Sequence, residues 1–325
     1  MFKKRIMKKR LFSLFTMLCV LSFFTACSDD DKEDDSWKTI SNTYKTESLI
    51  LNGTAEDASS SKSVKVDASS LEAATVVLNN IVIGQPEVSI NAQMVKEGEK
   101  FLLTGSTKDD NSETSIEGSI STGVLTLKVS YKNTSALVGT WACDATDATS
   151  SIYLNFSNES GKVLFGTTEV TNDVFVNFMK NIVGGYTTNL TSVEFKEDAT
   201  IEIKYVDLNN KEPHTLTGLL TYFIKDSKLY VIPNLAGLLS SKADSTSGLE
   251  SLLTNGIPMS YKLENGKLTV YTEKALLTSV LPIVKPLLET ITDPTFVAFK
   301  PMILQAITII EESTTFDFGL NMLKQ

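Results

Sequence analysis

Short stretches of alternating apolar and polar residues fill the chain from residue 37 to about residue 133. In the segment VLTLKVSY, Leu125, Leu127 and Val129 alternate with polar neighbours, a period of two that puts one face of a strand in a core and the other in water. Strands at this spacing, separated by turn residues, predict an antiparallel β-sandwich or barrel. The predicted strands are Tyr44–Leu51, Ser63–Asp67, Thr75–Ile83, Val88–Val95, Phe101–Thr107, Ser115–Ile120 and Val124–Tyr131.

A second β-rich region is predicted to begin near Ser135, before another apolar alternation at Ile152, Leu154 and Phe156. It contains helices as well as strands. The segment Glu169–Ile182 repeats apolar residues at helical spacing and predicts an amphipathic helix that Gly184-Gly185 would end. The remaining elements predicted here are strands at Ser192–Phe195, Thr200–Val206, Leu216–Ile224 and Lys228–Ile232, and a helical stretch from Leu235 to Leu253.

An internal repeat supports this division of the second region. The segments Thr221–Leu239 and Ser260–Thr278 match at Tyr222 and Tyr261 and share a Lys-Leu pair after a turn. Each copy therefore predicts a β-hairpin that continues into a helix.

The C-terminal stretch is predicted to be helical and is interrupted by prolines. Pro282 and Pro286 are expected to interrupt or kink one helix, and Pro294 and Pro301 to mark breaks or starts. The strongly apolar segment from Phe296 to Ile310 has two interpretations. It is either an exposed surface for a partner or membrane, or part of a helix pair that packs on the barrel or across its mouth.

The N-terminus is predicted to be a lipoprotein signal peptide covering residues 1–26. All charges in residues 1–10 are positive, and residues 11–26 carry none. This apolar stretch is shorter than the roughly 20 residues that a membrane-spanning helix needs. Thr25-Ala26 before Cys27 resembles a bacterial lipobox, in which cleavage leaves an N-terminal cysteine that carries lipid. An ordinary cleaved signal and an N-terminal membrane anchor are the alternatives.

Residues 27–36 are predicted to be an acidic tether. The run SDDDKEDD after Cys27 repels itself and cannot bury apolar surface, so it stays solvated. An acidic run in this place resembles the export signal of Bacteroidetes lipoproteins, which implies the outer face of the outer membrane. The alternative is a spacer that faces the periplasm.

The two β-rich regions resemble the domains of Bacteroidetes outer-membrane lipoproteins. Gly139-Thr140-Trp141 is similar to the Gly-x-Trp that opens lipocalin-like barrels, where the tryptophan closes one end. The strand succession before it resembles a calycin-like domain. The resemblance implies a mainly β protein with helices (α+β): a β-rich domain over residues 37–134 and a lipocalin-like domain with inserted and C-terminal helices over residues 135–325. Ordinary core packing is the alternative role for Trp141.

The composition of the chain argues against several classes of function. With 39 acidic residues, 30 basic residues and one histidine, the chain lacks the basic footprint of nucleic-acid binding and the histidines of common metal sites. His214 lies outside any nucleophile motif and is expected to face solvent. Cys143, the only thiol predicted to remain in the folded body, is expected to be buried and inert. No catalytic residue, metal site or cofactor is predicted.

The sequence therefore predicts a non-enzymatic, lipid-anchored binding or interaction protein of the cell envelope. Its ligand is expected to be a small apolar molecule or a glycan, and its protein partner is undefined. Ser245, in Asp244-Ser245-Thr246, resembles an envelope O-glycosylation site. The alternatives are a structural or assembly protein that uses an apolar helical face and, third, an envelope hydrolase, which would need two carboxylates facing one cleft.

Overall fold

The computed structural model describes residues 34–143, 147–207, 210–234, 255–290 and 294–325. Within these ranges the protein is mainly β, with two nine-stranded sheets, one small hairpin and three α-helices. Two short 3-10 helices, Asp35–Ile40 and Thr46–Ser48, precede and interrupt the first strands. The predicted helical stretch Leu235–Leu253 lies outside the described residues.

The first sheet is curled and open. Its strands follow the order β1-β4-β5-β6-β7-β8-β9-β2-β3, and no pairing among the described residues joins the two ends. All neighbours are antiparallel except β2 and β9, which run parallel. The strands are β1 (Asn42–Tyr44), β2 (Leu49–Leu51), β3 (Thr54–Ala55), β4 (Ser63–Ala68), β5 (Ala73–Val82), β6 (Gln85–Glu97), β7 (Lys100–Lys108), β8 (Ser112–Ser121) and β9 (Val124–Asn133).

The core of this sheet lies on its concave side and follows the alternation in the sequence. Leu125 and Leu127 on β9 are fully buried, as the period of two predicted, while their neighbours Thr126 and Lys128 are exposed. The predicted strand Tyr44–Leu51 is the exception. A 3-10 turn at residues 46–48, with Thr46 at a positive φ of 51°, divides it into β1 and β2.

The second sheet closes into an eight-stranded antiparallel barrel. Its order is β10-β14-β15-β16-β17-β18-β19-β20, and β20 returns to pair with β10 and with β11. The separate hairpin is β12–β13. The strands are β10 (Gly139–Ala142), β11 (Ile152–Ser157), β12 (Lys162–Phe165), β13 (Thr168–Thr171), β14 (Leu190–Phe195), β15 (Thr200–Val206), β16 (Pro213–Lys225), β17 (Lys228–Pro233), β18 (Ile257–Glu264), β19 (Lys267–Thr272) and β20 (Thr315–Lys324).

The second sheet and the helices that pack on it contain two apolar clusters. One surrounds Trp141 and includes Tyr222 and Leu268, none of which is accessible to solvent. The other contains Phe156 and Phe316 and is covered by side chains from the helices. Leu320 packs against both clusters, so the interior is continuous.

The helices are α1 (Asn172–Thr187), α2 (Lys274–Thr290) and α3 (Pro294–Glu312), and all three contribute residues to the second cluster. Phe175 of α1 and Ile309 of α3 are buried there, which agrees with the prediction that the C-terminal helices pack on the barrel or across its mouth. Among the described residues, no helix combines the length and the apolar character of a membrane span.

Several predicted helix boundaries were wrong. Glu169 belongs to β13, and α1 continues through Gly184-Gly185 to Thr187. Gly184 is needed for packing, because a Cβ there would lie 2.8 Å from the carbonyl oxygen of Ala148. Pro301 lies inside α3 instead of starting it, whereas Pro294 is the first residue of α3, as expected.

Other elements were missed or extended. β20 was not predicted, although it pairs with three strands and closes the barrel, and neither was the β12–β13 hairpin. The prolines at 282 and 286 lie within the continuous helix α2. The two repeated hairpins were correct: β16–β17 turns at Asp226-Ser227, β18–β19 turns at Asn265-Gly266, and each has two turn residues at positive φ.

The two sheets contact each other where β9 leads into β10. Lys132 forms an ion pair of 3.2 Å with Glu197, and the backbone N–H of Asn133 donates to the carbonyl of Glu197 at 2.6 Å. Burial raises the pKa of Tyr222, and the nearby Tyr131 and acidic side chains raise it further. The turn between β14 and β15, which contains Glu197, therefore contacts the first sheet.

Candidate ligand-binding cleft

A cleft of about 570 Å³ lies between the two sheets. One wall comes from the turn between β5 and β6, and the other comes from the outer surface of the β16–β17 hairpin. Its volume falls within the range of about 300–1,000 Å³ that is common for small-molecule sites, which often occur at domain interfaces. The residues that line it are Ser61, Asn80, Val82, Gly84, Gln85, Pro86, Phe223, Lys225, Tyr230, Ile232 and Asn255.

The floor of the cleft is a stacked aromatic pair. Phe223 on β16 lies directly opposite Tyr230 on β17, with ring centroids 4.8 Å apart and planes within 4° of parallel. Cross-strand aromatic pairs of this kind stabilise a hairpin and fix the ring orientations. Phe223 is 6% exposed, whereas Tyr230 is half-buried, so Tyr230 is the part of the pair that a ligand can reach.

Two glycines allow the backbone to approach this pair. Gly84 has a φ of +72°, and a Cβ built on it would overlap the ring of Phe223. Gly256 has a φ of +86°, and its Cβ would lie 3.2 Å from Tyr230 and from Ile232. Both positions therefore need glycine for conformation and for space. The aromatic floor is held by close packing from two sides.

Asn80 reaches the cleft from a β-bulge. The pairing between β5 and β6 shifts register between residues 79 and 82, and Asn80 adopts a φ of +55°. Its side-chain Nδ2 donates to the carbonyl oxygen of Ser61 at 3.2 Å. Its Oδ1 accepts no hydrogen bond from the described residues. Bulges frequently reorient a side chain beside a functional site, and here the bulge leaves one amide acceptor available.

Gln85 connects the cleft with the junction between the sheets. Its Nε2 donates to a carboxylate oxygen of Asp109 at 3.0 Å and to the hydroxyl of Ser112 at 3.1 Å. The other oxygen of Asp109 accepts from the backbone N–H groups of Asn111 and Ser112. The Asp109 charge is therefore already stabilised by several donors and lies behind Gln85 instead of lining the cleft.

The described residues that line the cleft are mainly hydrogen-bonding and aromatic groups. They supply hydroxyls, amides and one amine, from Ser61, Asn80, Gln85, Tyr230, Asn255 and Lys225, and none of the lining residues that the structure describes carries a carboxylate, imidazole or thiol. Elsewhere in the described ranges, no group of three or more His, Cys, Asp or Glu side chains is placed to hold a metal ion. The cleft combines an aromatic surface with a polar border.

A second feature is an apolar stripe on α1 that faces away from the barrel. Val174, Phe178 and Ile182 recur every four residues and are 53%, 42% and 39% exposed, and Leu164 on β12 is 60% exposed. Phe178 contacts the ring of Phe165 with centroids 4.8 Å apart. The predicted amphipathic helix thus carries apolar residues on both faces, one against the barrel and one in solvent.

The residues singled out as barrel-closure candidates lie in β10. Trp141 is completely buried, pairs with Val193 and Lys324 on the two neighbouring strands, and donates its indole N–H to the carbonyl of Leu137 at 2.8 Å. Gly139 has a φ of +131° and lies beside the Lys324 side chain. Both residues are in the strand where the barrel closes.

The other predicted residues lie away from the cleft. Cys27 and Ser245 are outside the described residues. His214 is exposed on β16, where its ring stacks on Tyr205 at 5.3 Å. Cys143 is half-buried, and burial raises the pKa of its thiol, which favours the unreactive protonated form.

None of the residues that line the cleft was predicted as a site from the sequence. Two local signals were present: the Asn79-Asn80 pair inside an otherwise apolar strand, which is typical of a bulge, and Gly84 followed by Gln85-Pro86, which is typical of a turn. Neither signal identifies Phe223 as the contact across the interface. The chain matches no protein family, no curated protein and no solved structure, so its own geometry is the basis for assigning a function.

Proposed function

We propose that this protein binds a carbohydrate in the cleft between its two sheets, through one pyranose ring, without changing it chemically. The single observation that carries the proposal is the accessible Tyr230 ring, held by Phe223 and bordered by hydroxyl and amide groups. A pyranose has an apolar C–H face and hydroxyl groups at its edge. Such a ring would stack on Tyr230 while its edge meets the polar border.

The composition of the lining favours binding over hydrolysis. Glycoside hydrolysis commonly uses two carboxyl groups about 5–9.5 Å apart, and the part of the lining that the structure describes contains none. An apolar ligand fits less well, because Asn80 and Lys225 would lose water without gaining partners. A nucleobase can also stack on an aromatic ring, but it has no hydroxyl groups at its edge.

Ligand binding can be tested with the full-length chain in detergent micelles. Saturation-transfer NMR and titration calorimetry would use methyl glycosides of glucose, galactose and mannose, with nucleosides and a fatty acid as competing classes. We expect at least one pyranoside to bind and Tyr230→Ala to weaken its binding about 5- to 30-fold, because an aromatic stacking surface contributes about 1–2 kcal/mol. Binding of only a nucleoside or fatty acid would refute the proposal.

Tyr205→Ala is the matched control for this experiment. Tyr205 is also half-buried and also stacks on a ring, that of His214, but it does not line the cleft. Its removal should leave binding unchanged. If Tyr205→Ala and Tyr230→Ala reduce affinity equally, the cause is general destabilisation and not the loss of a stacking surface in the cleft.

We further propose that the protein is anchored to the outer membrane by lipid on Cys27 and that its second domain is lipocalin-like. The support is the leader before Cys27, the acidic run after it, and the buried Trp141 in a closed barrel. Cys27→Ala should release the chain from the membrane fraction. Protease shaving of intact cells would separate a surface location from a periplasm-facing one.

The apolar stripe on α1 favours a second candidate function, that of an assembly protein. Val174, Phe178 and Ile182 expose a continuous apolar face on an ordered helix, which a binding partner would cover. A photo-crosslinker placed at Phe178 in intact cells should capture one protein at constant stoichiometry if this function is correct. Crosslinks to many unrelated proteins would argue against it.

A further inference from the structure

We infer that the pyranose held in the cleft carries a carboxylate and that Lys225 recognises it. The inference rests on the proposed function and narrows its substrate class to acidic sugars such as uronic acids. The first observation is that the charge of the cleft lining is opposite to the net charge of the chain. The chain has 39 acidic and 30 basic residues, yet the described residues that line the cleft include one lysine and no aspartate or glutamate.

The second observation is that Lys225 is not used elsewhere. In the described part of the chain its amine forms no ion pair and no hydrogen bond. Lys228 lies directly across the same hairpin and pairs with Glu273 at 3.7 Å. The two lysines therefore lie opposite each other on paired strands but differ in their contacts. Lys228 pairs with Glu273, whereas the amine of Lys225 is available to bind an anion.

The third observation is the position of Lys225 relative to the aromatic floor. Phe223 and Lys225 are two residues apart on β16, so their side chains project from the same face of the strand, with Cα atoms about 7 Å apart. A ring stacked at Tyr230 would extend its edge towards this amine. A carboxylate attached to the ring carbon, as in a uronic acid, would meet Lys225, whereas a neutral hydroxymethyl group would leave its charge without a partner.

The acidic side chains Asp109 and Asp226 do not take the place of a ligand carboxylate beside the Lys225 amine. Asp109 lies behind Gln85 and is held by hydrogen bonds from Gln85, Asn111 and Ser112. Asp226 follows Lys225 in the hairpin turn but is not among the lining residues. The amine of Lys225 is therefore the charge that a ligand in the cleft meets first.

The test compares matched methyl glycosides that differ only at the exocyclic carbon: the neutral and uronic acid forms of the gluco, galacto and manno sugars. Affinities are measured by calorimetry with the full chain in detergent at low salt. We expect the acidic member of at least one pair to bind about fivefold more tightly, which is about 1 kcal/mol and suits a partly exposed ion pair. The preference should weaken in high salt, where charges are screened.

Lys225→Met should remove the preference by weakening the acidic sugar more than the neutral one. Lys228→Met, the control in the same hairpin, should keep the preference. Lys225 is exposed, so its replacement is not expected to impair folding. Equal affinity for both members of every pair, or a preference that survives Lys225→Met, overturns the inference and leaves the proposed function standing. Failure of every pyranoside to bind overturns both.

Discussion

Replacement of Gly84 by alanine tests whether the two sheets are held together at the aromatic floor of the cleft. Alanine at a φ of +72° costs about 1–2 kcal/mol through backbone strain alone. The added Cβ would also overlap the ring of Phe223, and displacing a packed side chain typically costs about 1–3 kcal/mol more. We therefore expect Gly84→Ala to lower the free energy of unfolding by about 2–5 kcal/mol.

Gly123→Ala is the control for the backbone contribution. Gly123 has a similar φ of +77°, lies in the tight turn between β8 and β9, and has open space for 4 Å around the point that a Cβ would occupy. Its replacement should cost only the strain of about 1–2 kcal/mol. The difference between the two variants isolates the contact with Phe223.

Urea unfolding followed by circular dichroism and by tryptophan fluorescence is the appropriate assay. Trp37 packs against the core of the first sheet and Trp141 lies in the core of the barrel, so each sheet has its own fluorescent reporter. We expect Gly84→Ala to weaken carbohydrate binding as well, because the floor of the cleft shifts. If Gly84→Ala costs no more than Gly123→Ala, the turn does not pack on Phe223, and the cleft lacks the floor described above.

Four further predictions concern the barrel, a helix, a buried tyrosine and the thiol. Trp141→Ala should lower the free energy of unfolding by about 3–5 kcal/mol in urea, because it empties the buried end of the barrel. Gly184→Ala should lower the thermal midpoint, whereas Gly185→Ala, with open space at its Cβ, should raise stability by about 0.5–1 kcal/mol. Burial raises the pKa of Tyr44 from 10.0 to about 12. The neutral side chain therefore contributes fully to the stability of the folded state below pH 10, and this contribution is lost as the pH rises towards 12. Tyr44→Phe should reduce the alkaline loss of stability, measured as urea midpoints between pH 10 and pH 12. Cys143 should react with a thiol reagent at about pH 8 more slowly in the folded protein than in urea, because its pKa is raised and its side chain is half-buried.

Local patterns were enough to predict most individual strands. The alternation at Leu125 and Leu127 correctly assigned β9 and its buried face, and β15 was predicted with its observed bounds, Thr200–Val206. Both repeated hairpins were also correct, because their turn residues and flanking alternation lie within a few positions of one another. These features are determined by neighbouring residues, which a single sequence displays directly.

Features that depend on distant residues were not predicted. Strand β20 was overlooked although Phe316, Phe318, Leu320 and Met322 alternate with polar residues or glycine, a period of two that indicates a strand. Its role becomes evident only through pairing with β10, β11 and β19. The end of α1 was placed too early for the same reason, because Gly184 packs against the backbone of Ala148, which lies outside its own helix.

The cleft shows how one aromatic pair can serve both stability and recognition. Phe223 is almost fully buried beneath Gly84, so its contribution is to hold the first sheet against the barrel. The ring of Tyr230 is parallel to the ring of Phe223, but Tyr230 is only half-buried. Part of Tyr230 is therefore accessible to a ligand. Because Phe223 fixes the orientation of Tyr230, a ligand would meet a surface that needs no rearrangement on binding, which lowers the entropic cost of association. The contact between Gly84 and Phe223, one of those that join the two sheets, would thus also prepare the binding surface.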